Sequence, residues 1–165
     1  MVKALVNVLV AFSVAIVSTN VFAGIESPKQ VSDKLWVMGT PSNEQLADFA
    51  DEGGDVVINL LSQKEMTDSE EAAVVTRNGM AYYHVPVNGA DGVTLANARL
   101  VERILLENSD KTVLVHCASS NRVGALMALR AGWLDGMSVE NALEVGREHG
   151  MTSLEDRVKS MLSEQ

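Results

Sequence analysis

The sequence predicts an α/β fold, a central and mostly parallel sheet with helices on both faces. Three observations carry this expectation. Val56-Val-Ile-Asn-Leu-Leu61 and Thr112-Val-Leu-Val-His116 are continuous apolar runs rich in β-branched residues, the pattern of strands covered on both sides. Helical signals separate the strand-like runs. Residues 123–133 are apolar almost all round, as expected of a helix buried at the centre of a domain.

In chain order, Ser42-x-x-Gln45 reads as a capping box opening a helix that carries Leu46, Phe49 and Ala50. The strand of residues 56–61 follows. Thr67-x-x-Glu70 reads as a second capping box, ahead of the apolar residues 72–75, and Asp68, Glu70 and Glu71 suit the positive end of that helix. Residues 82–87 form a third strand, stopped by Asn88-Gly89. Leu95, Ala98, Val101 and Leu105 lie on one helical stripe just before the strand of residues 112–116. After the buried helix come two more, at about residues 139–149 and 153–162. Residues 24–165 have the length of one domain with one core, and show no repeat, low-complexity tract or linker.

Residues 1–23 read as a cleaved secretory signal peptide. Lys3 supplies the positive start, residues 4–17 are mostly apolar, and Val21-Phe22-Ala23 has small residues at the two positions a signal peptidase reads. The apolar stretch is shorter than the ~20 residues of a membrane span. The expected location is the periplasm, with no membrane insertion after cleavage. Lys3 is the only charged residue in this segment, so its removal takes the formal charge from −9 to −10. Such an acidic chain lacks the basic face that nucleic acid or anionic lipid requires.

The chemistry concentrates at Val115-His116-Cys117-Ala118-Ser119-Ser120-Asn121-Arg122-Val123-Gly124, where a strand runs through a short loop into a helix. Cys117 is the only cysteine, so no disulfide forms within the chain, and a lone exported thiol is a liability unless buried or used. A thiolate is the nucleophilic form of cysteine, and helix N-termini lower thiol pKa values. The free N–H groups of the same turn bind anions, and arginine adds a planar fork matched to phosphate-like oxygens.

His-Cys, a short loop and Arg resemble the phosphate-binding loop of cysteine-dependent phosphatases of the dual-specificity and tyrosine type. More closely, His116-Cys-Ala-Ser-Ser-Asn-Arg-Val-Gly-Ala125 is similar to a bacterial phosphatase-like branch related to the phosphatase domain of beta-lactamase-hydrolase-like proteins. Gly39-Thr-Pro-Ser42, Val57-Ile-Asn-Leu60, Tyr83-His-Val-Pro-Val87 and Gly150-Met-Thr-Ser-Leu154 extend the likeness over about residues 35–162. The resemblance implies a hydrolase acting on phosphomonoesters through a phosphocysteine, with Cys117 as nucleophile. Arg122 and the loop N–H groups of Ala118, Ser119, Ser120, Asn121 and Arg122 would hold the phosphate. His116 would orient the loop, or else be a satisfied core histidine. The superfamily takes its general acid from a loop upstream, where Asp91 is the only carboxylate; the alternative is a solvated turn residue beside Gly92. The implied partner is a phosphorylated small molecule or protein.

The chain departs from the pattern at four places. Four residues rather than five separate Cys117 from Arg122, a spacing also found in rhodanese-type sulfurtransferases. Ser120 stands where relatives carry Gly, a position that suggests φ > 0. Leu61 stands where they carry Arg, and Val123 replaces the hydroxyl that assists the leaving thiolate. Two alternatives follow, a sulfurtransferase carrying a persulfide on Cys117 and a catalytically silent oxyanion-binding module. His84, His116 and His149 lack metal-site spacing, and no nucleotide-binding loop is present, so neither metal nor cofactor is implied.

Overall fold

The structure is a computed structural model that describes residues 27–66 and 70–164. Among the described residues five strands form one sheet: β1 (Lys29–Ser32), β2 (Leu35–Met38), β3 (Val56–Asn59), β4 (Ala81–His84) and β5 (Val113–His116). Their order across the sheet is β1-β2-β5-β3-β4. β1 is antiparallel to β2, and every other pairing is parallel, so the mostly parallel sheet expected from the sequence is present. β5 is central, with Val115 level with Val37 on one side and Ile58 on the other.

Six helices among the described residues cover both faces: α1 (Asn43–Asp51), α2 (Glu71–Arg77), α3 (Leu95–Glu107), α4 (Asn121–Trp133), α5 (Val139–Glu148) and α6 (Glu155–Ser163). Side chains of a strand alternate between faces. Ile58, Val115 and Cys117 accordingly pack with α3–α6, while Val57 and Leu114 pack with Leu46 and Phe49 of α1 and Val74 and Val75 of α2. α4 is buried along nearly its whole circumference, against α3, α5 and α6. At Gly124 an added Cβ would meet Met151 N at 2.3 Å and Gly146 O at 2.4 Å, so α4 and α5 approach to backbone contact only because that position has no side chain.

The Ser42 capping box forms as expected, with Ser42 Oγ accepting from Gln45 N and Gln45 Oε1 accepting from Ser42 N. The second proposed box involves Thr67, which lies outside the described residues; α2 begins at Glu71 without a side-chain cap from Glu70. The third strand is shorter than residues 82–87 because Pro86 has no N–H to donate. Val85 N and Val87 N on either side of it still bond Asn59 O and Leu60 O, at 2.9 and 3.1 Å. The signal segment, residues 1–23, lies outside the described residues. No helix among the described residues is long and apolar enough to cross a membrane.

Candidate active site

β5 delivers Cys117 to the carboxyl end of the sheet's central strand, where open α/β sheets bind ligands. The loop from Cys117 to Ser120 then turns into α4, whose first N–H groups have no acceptor within the helix. Cys117 is fully buried. The segment that follows β2 braces the loop: Thr40 Oγ1 donates to Cys117 O and Thr40 N to Ala118 O, both at 3.4 Å, and Gly39 bridges to Ser119.

Ser120 carries the conformational demand anticipated from the sequence. Its φ of 67° puts it in the left-handed region, the only such residue other than glycine among those described. The buried hydroxyl of Ser120 donates to His149 O at 3.0 Å, which offsets part of the strain a side chain adds there. Asn121 extends the same anchorage, with Nδ2 donating to Ser153 Oγ and Oδ1 accepting from Thr152 N, both at 2.8 Å. The segment between α5 and α6 therefore holds the loop from outside. Replacing Ser120 by Ala keeps the strain and loses the bond, so Ser120→Ala should cost about 1 kcal/mol in urea unfolding. Ser120→Gly, which relieves the strain as it loses the bond, should change stability by less than about 0.5 kcal/mol.

Arg122 is buried and fully engaged on two sides. It donates from Nη1 to Glu65 Oε2 at 2.8 Å and from Nη2 to Glu65 Oε1 at 2.7 Å, and Nη1 also donates to Val87 O at 2.6 Å. Burial works against the guanidinium charge, but the Glu65 hydrogen bond and the negative form of Cys117 outweigh it, and the pKa of Arg122 is raised. Cys117 and Arg122 thus lie within electrostatic reach of each other. The Arg122 hydrogen bond, reinforced by Ser62, lowers the pKa of Glu65 to about 2.

His116 points to the other face of the sheet. It is fully buried, its Nε2 lies 2.9 Å from Glu71 Oε1, and its Nδ1 has no partner. Asn59 Nδ2 donates to the same carboxylate oxygen and to Tyr82 Oη, each at 2.9 Å. Burial pushes the Glu71 pKa up, but hydrogen bonding to His116 and the charge of that ring bring it below the usual value. Tyr82 is pushed up to about 12 by burial and by the Glu71 charge. His116 is therefore part of a buried polar network, on the face of the sheet opposite Cys117.

Asp91 sits on the turn after Val87 with its carboxylate fully exposed, 3.9 Å from Arg157 of α6. No hydrogen bond joins it to Cys117 or Arg122. Sequence reasoning missed Glu65 and Glu71. A signal for Glu71 was present, since it shares a helical face with buried Val74 and Val75, an uncommon place for a carboxylate without a partner. Ser62-x-x-Glu65 has the spacing of a capping box, and Glu65 does accept from Ser62 N and Oγ, but no helix follows. Among the described residues no group of three His, Cys, Asp or Glu side chains could hold a metal ion.

No family model matches the chain. Beta-lactamase hydrolase-like proteins from two strains of Xylella fastidiosa are 32% identical to it over 126 residues, 73% of this chain. The chain spans 28% of the length of these curated relatives. A DUF442 protein from Shewanella putrefaciens CN-32 superposes with a TM-score of 0.66 at 22% identity, over 86% of this chain and 89% of that one. Kinase associated phosphatase, solved with its catalytic site cysteine replaced by serine, gives a TM-score of 0.63 at 16% identity over 79% of this chain and 84% of its own. The chain shares its fold with these phosphatase structures. Within the phosphatase fold, Cys117 and Arg122 occupy the strand-to-helix loop that the sequence singled out.

Proposed function

We propose that the protein is a cysteine-dependent phosphatase hydrolysing phosphomonoesters. The observation that carries this is the pairing of Cys117 and Arg122 at the carboxyl end of the central strand, Cys117 being among the groups that raise the Arg122 pKa. The Cys117 thiolate attacks phosphorus, forming the S–P bond as the P–O ester bond breaks. Loop N–H groups from Ala118 to Arg122 and the Arg122 guanidinium hold the other phosphate oxygens, contacts that strengthen as charge develops. Water then attacks the phosphocysteine, releasing inorganic phosphate and restoring the thiolate.

The leaving oxygen needs a proton. Glu65 and Glu71 are both held below the usual carboxylate range, so neither stores one at neutral pH. Asp91, on the turn that follows the Arg122-bound Val87, is the proposed acid. In that role Asp91→Asn should slow alkyl phosphates about 10²-fold or more while leaving aryl phosphates nearly unchanged. Equal loss on both would remove Asp91 from the mechanism. The signal-like residues 1–23 support action in the periplasm.

The four-residue loop favours one competing chemistry, transfer of sulfur through a Cys117 persulfide. Purified protein given an aryl phosphate, and separately thiosulfate with cyanide, distinguishes the two. Phosphate release without thiocyanate is the expected result; thiocyanate without phosphate would replace the phosphatase proposal with the persulfide one.

A further inference from the structure

Two sets of contacts bring Arg157 of α6 to the rim of the loop of residues 117–122. On one side, the turn after Val87 folds back on that residue, whose carbonyl holds Arg122. An added Cβ at Gly92 would meet Asn88 N at 2.3 Å and Val87 C at 2.8 Å. Asp91 stands on this turn, with its Oδ1 3.9 Å from Arg157 Nη2. On the other side, Ser153 Oγ accepts from Asn121 Nδ2 at 2.8 Å, joining the segment just before α6 to the residue just before Arg122. Val158 and Leu162 are buried and seat α6 on the core, which fixes where Arg157 stands. We infer that Arg157 is a specificity-determining residue that binds a second oxyanion on the leaving group. The substrate class is then phosphomonoesters that carry another phosphate-like group near the ester. The inference rests on the phosphatase proposal above.

Placement and charge both lead to this role. An acid that protonates the ester oxygen adjoins the leaving group, so a cation beside Asp91 adjoins the same group. The other arginines of α4 and α5 are committed to carboxylates: Arg122 to Glu65, Arg130 to Glu102, and Arg147 to Glu144 and Glu155. Arg157 meets only Asp91 among the described residues, at a distance beyond a hydrogen bond. The Arg157 side chain is 40% exposed and that of Asp91 fully exposed, so solvent leaves the pair weak. A planar fork of N–H groups therefore stands ready for a bidentate oxyanion. Asp91 also lets go when it acts. A carboxyl carrying the proton destined for the ester oxygen has no charge to hold the guanidinium. The chain as a whole has a formal charge of −9, which repels a highly charged substrate, and a cation at the rim offsets that repulsion locally.

Two other roles use the same contact: orienting Asp91, and merely tying α6 to the turn. Substrate preference separates them. Initial rates give kcat and KM for phenyl phosphate and for 4-(phosphonomethyl)phenyl phosphate, whose second anion is not hydrolysed. The unaltered protein, Arg157→Gln and Arg157→Lys are compared, with melting recorded alongside. Differences in ester reactivity are the same for every variant, so the ratio of the two kcat/KM values isolates the contact to the second anion. Arg157→Gln should lower the preference for the phosphonate-bearing ester about 10-fold, chiefly by raising its KM. Arg157→Lys, which keeps the charge but loses the fork, should recover part of it. In the unaltered protein the preference should shrink as salt is added. An equal loss on both esters would mean that Arg157 works through Asp91, and a lower melting temperature with the ratio unchanged would mean a structural tie; either result overturns the inference. If the unaltered protein hydrolyses neither ester, the phosphatase proposal falls and this inference falls with it. If it hydrolyses both and Arg157→Gln leaves the ratio as it was, the inference alone falls.

Discussion

Cys117→Ser is expected to reduce phosphate release from an aryl phosphate by at least ~10³-fold while leaving the fold and inorganic phosphate binding in place. The change replaces one atom in a fully buried position, so packing against α4 and the sheet is nearly conserved. What is lost is the nucleophile, because a serine hydroxyl is not ionised at neutral pH and no base adjoins it. His116 cannot serve, since its Nε2 is committed to Glu71 on the opposite face of the sheet. Initial rates beside a calorimetric phosphate titration check both halves of the expectation. Residual activity comparable to the unaltered protein would remove Cys117 from the chemistry.

Arg122→Lys is expected to cost about 10²- to 10³-fold in kcat/KM, close to the loss of an oxyanion-stabilising donor. Lysine keeps a positive charge but is a point donor, and it cannot satisfy Glu65 and Val87 O while presenting a second edge to phosphate. Stability should respond in a way that depends on pH. The folded-state pKa of Glu65 is about 2, below its unfolded value near 4.5. The pair therefore stabilises the fold fully above about pH 4.5, and the stabilisation is lost as pH falls toward 2. Glu65 has a side chain 38% exposed, and solvent screening reduces the contribution to about 1 kcal/mol. In Arg122→Ala the larger share of that acid-dependent part should disappear, the Ser62 hydrogen bonds keeping the rest, so urea midpoints measured from pH 6 down to pH 3 should fall less steeply than in the unaltered protein. An equal slope would show that Glu65 gains nothing from Arg122.

Elements with strong local signals were legible in the sequence. Continuous apolar strands identified β3 and the central β5, the Ser42 capping box identified α1, and the all-round apolar run identified α4. The β1–β2 hairpin was not legible, because it consists of two four-residue strands, one largely exposed and neither alternating cleanly. The departure at Ser120 was informative, since the left-handed backbone it implied is present and the hydroxyl has found a partner in His149 O. Spatial partnerships remained hidden. Glu65 and Arg122 are 57 residues apart, and Glu71 and His116 are 45 apart. Such pairs depend on strand order across the sheet, and a single sequence specifies that poorly.

The most direct test of the central claim is to quench the protein during turnover of an aryl phosphate and weigh the peptide that carries Cys117. A phosphoryl group on Cys117, present during turnover and absent in Cys117→Ser, is the predicted result. An unmodified thiol throughout turnover, or one extra sulfur atom after incubation with thiosulfate and none after incubation with phosphate ester, would contradict it.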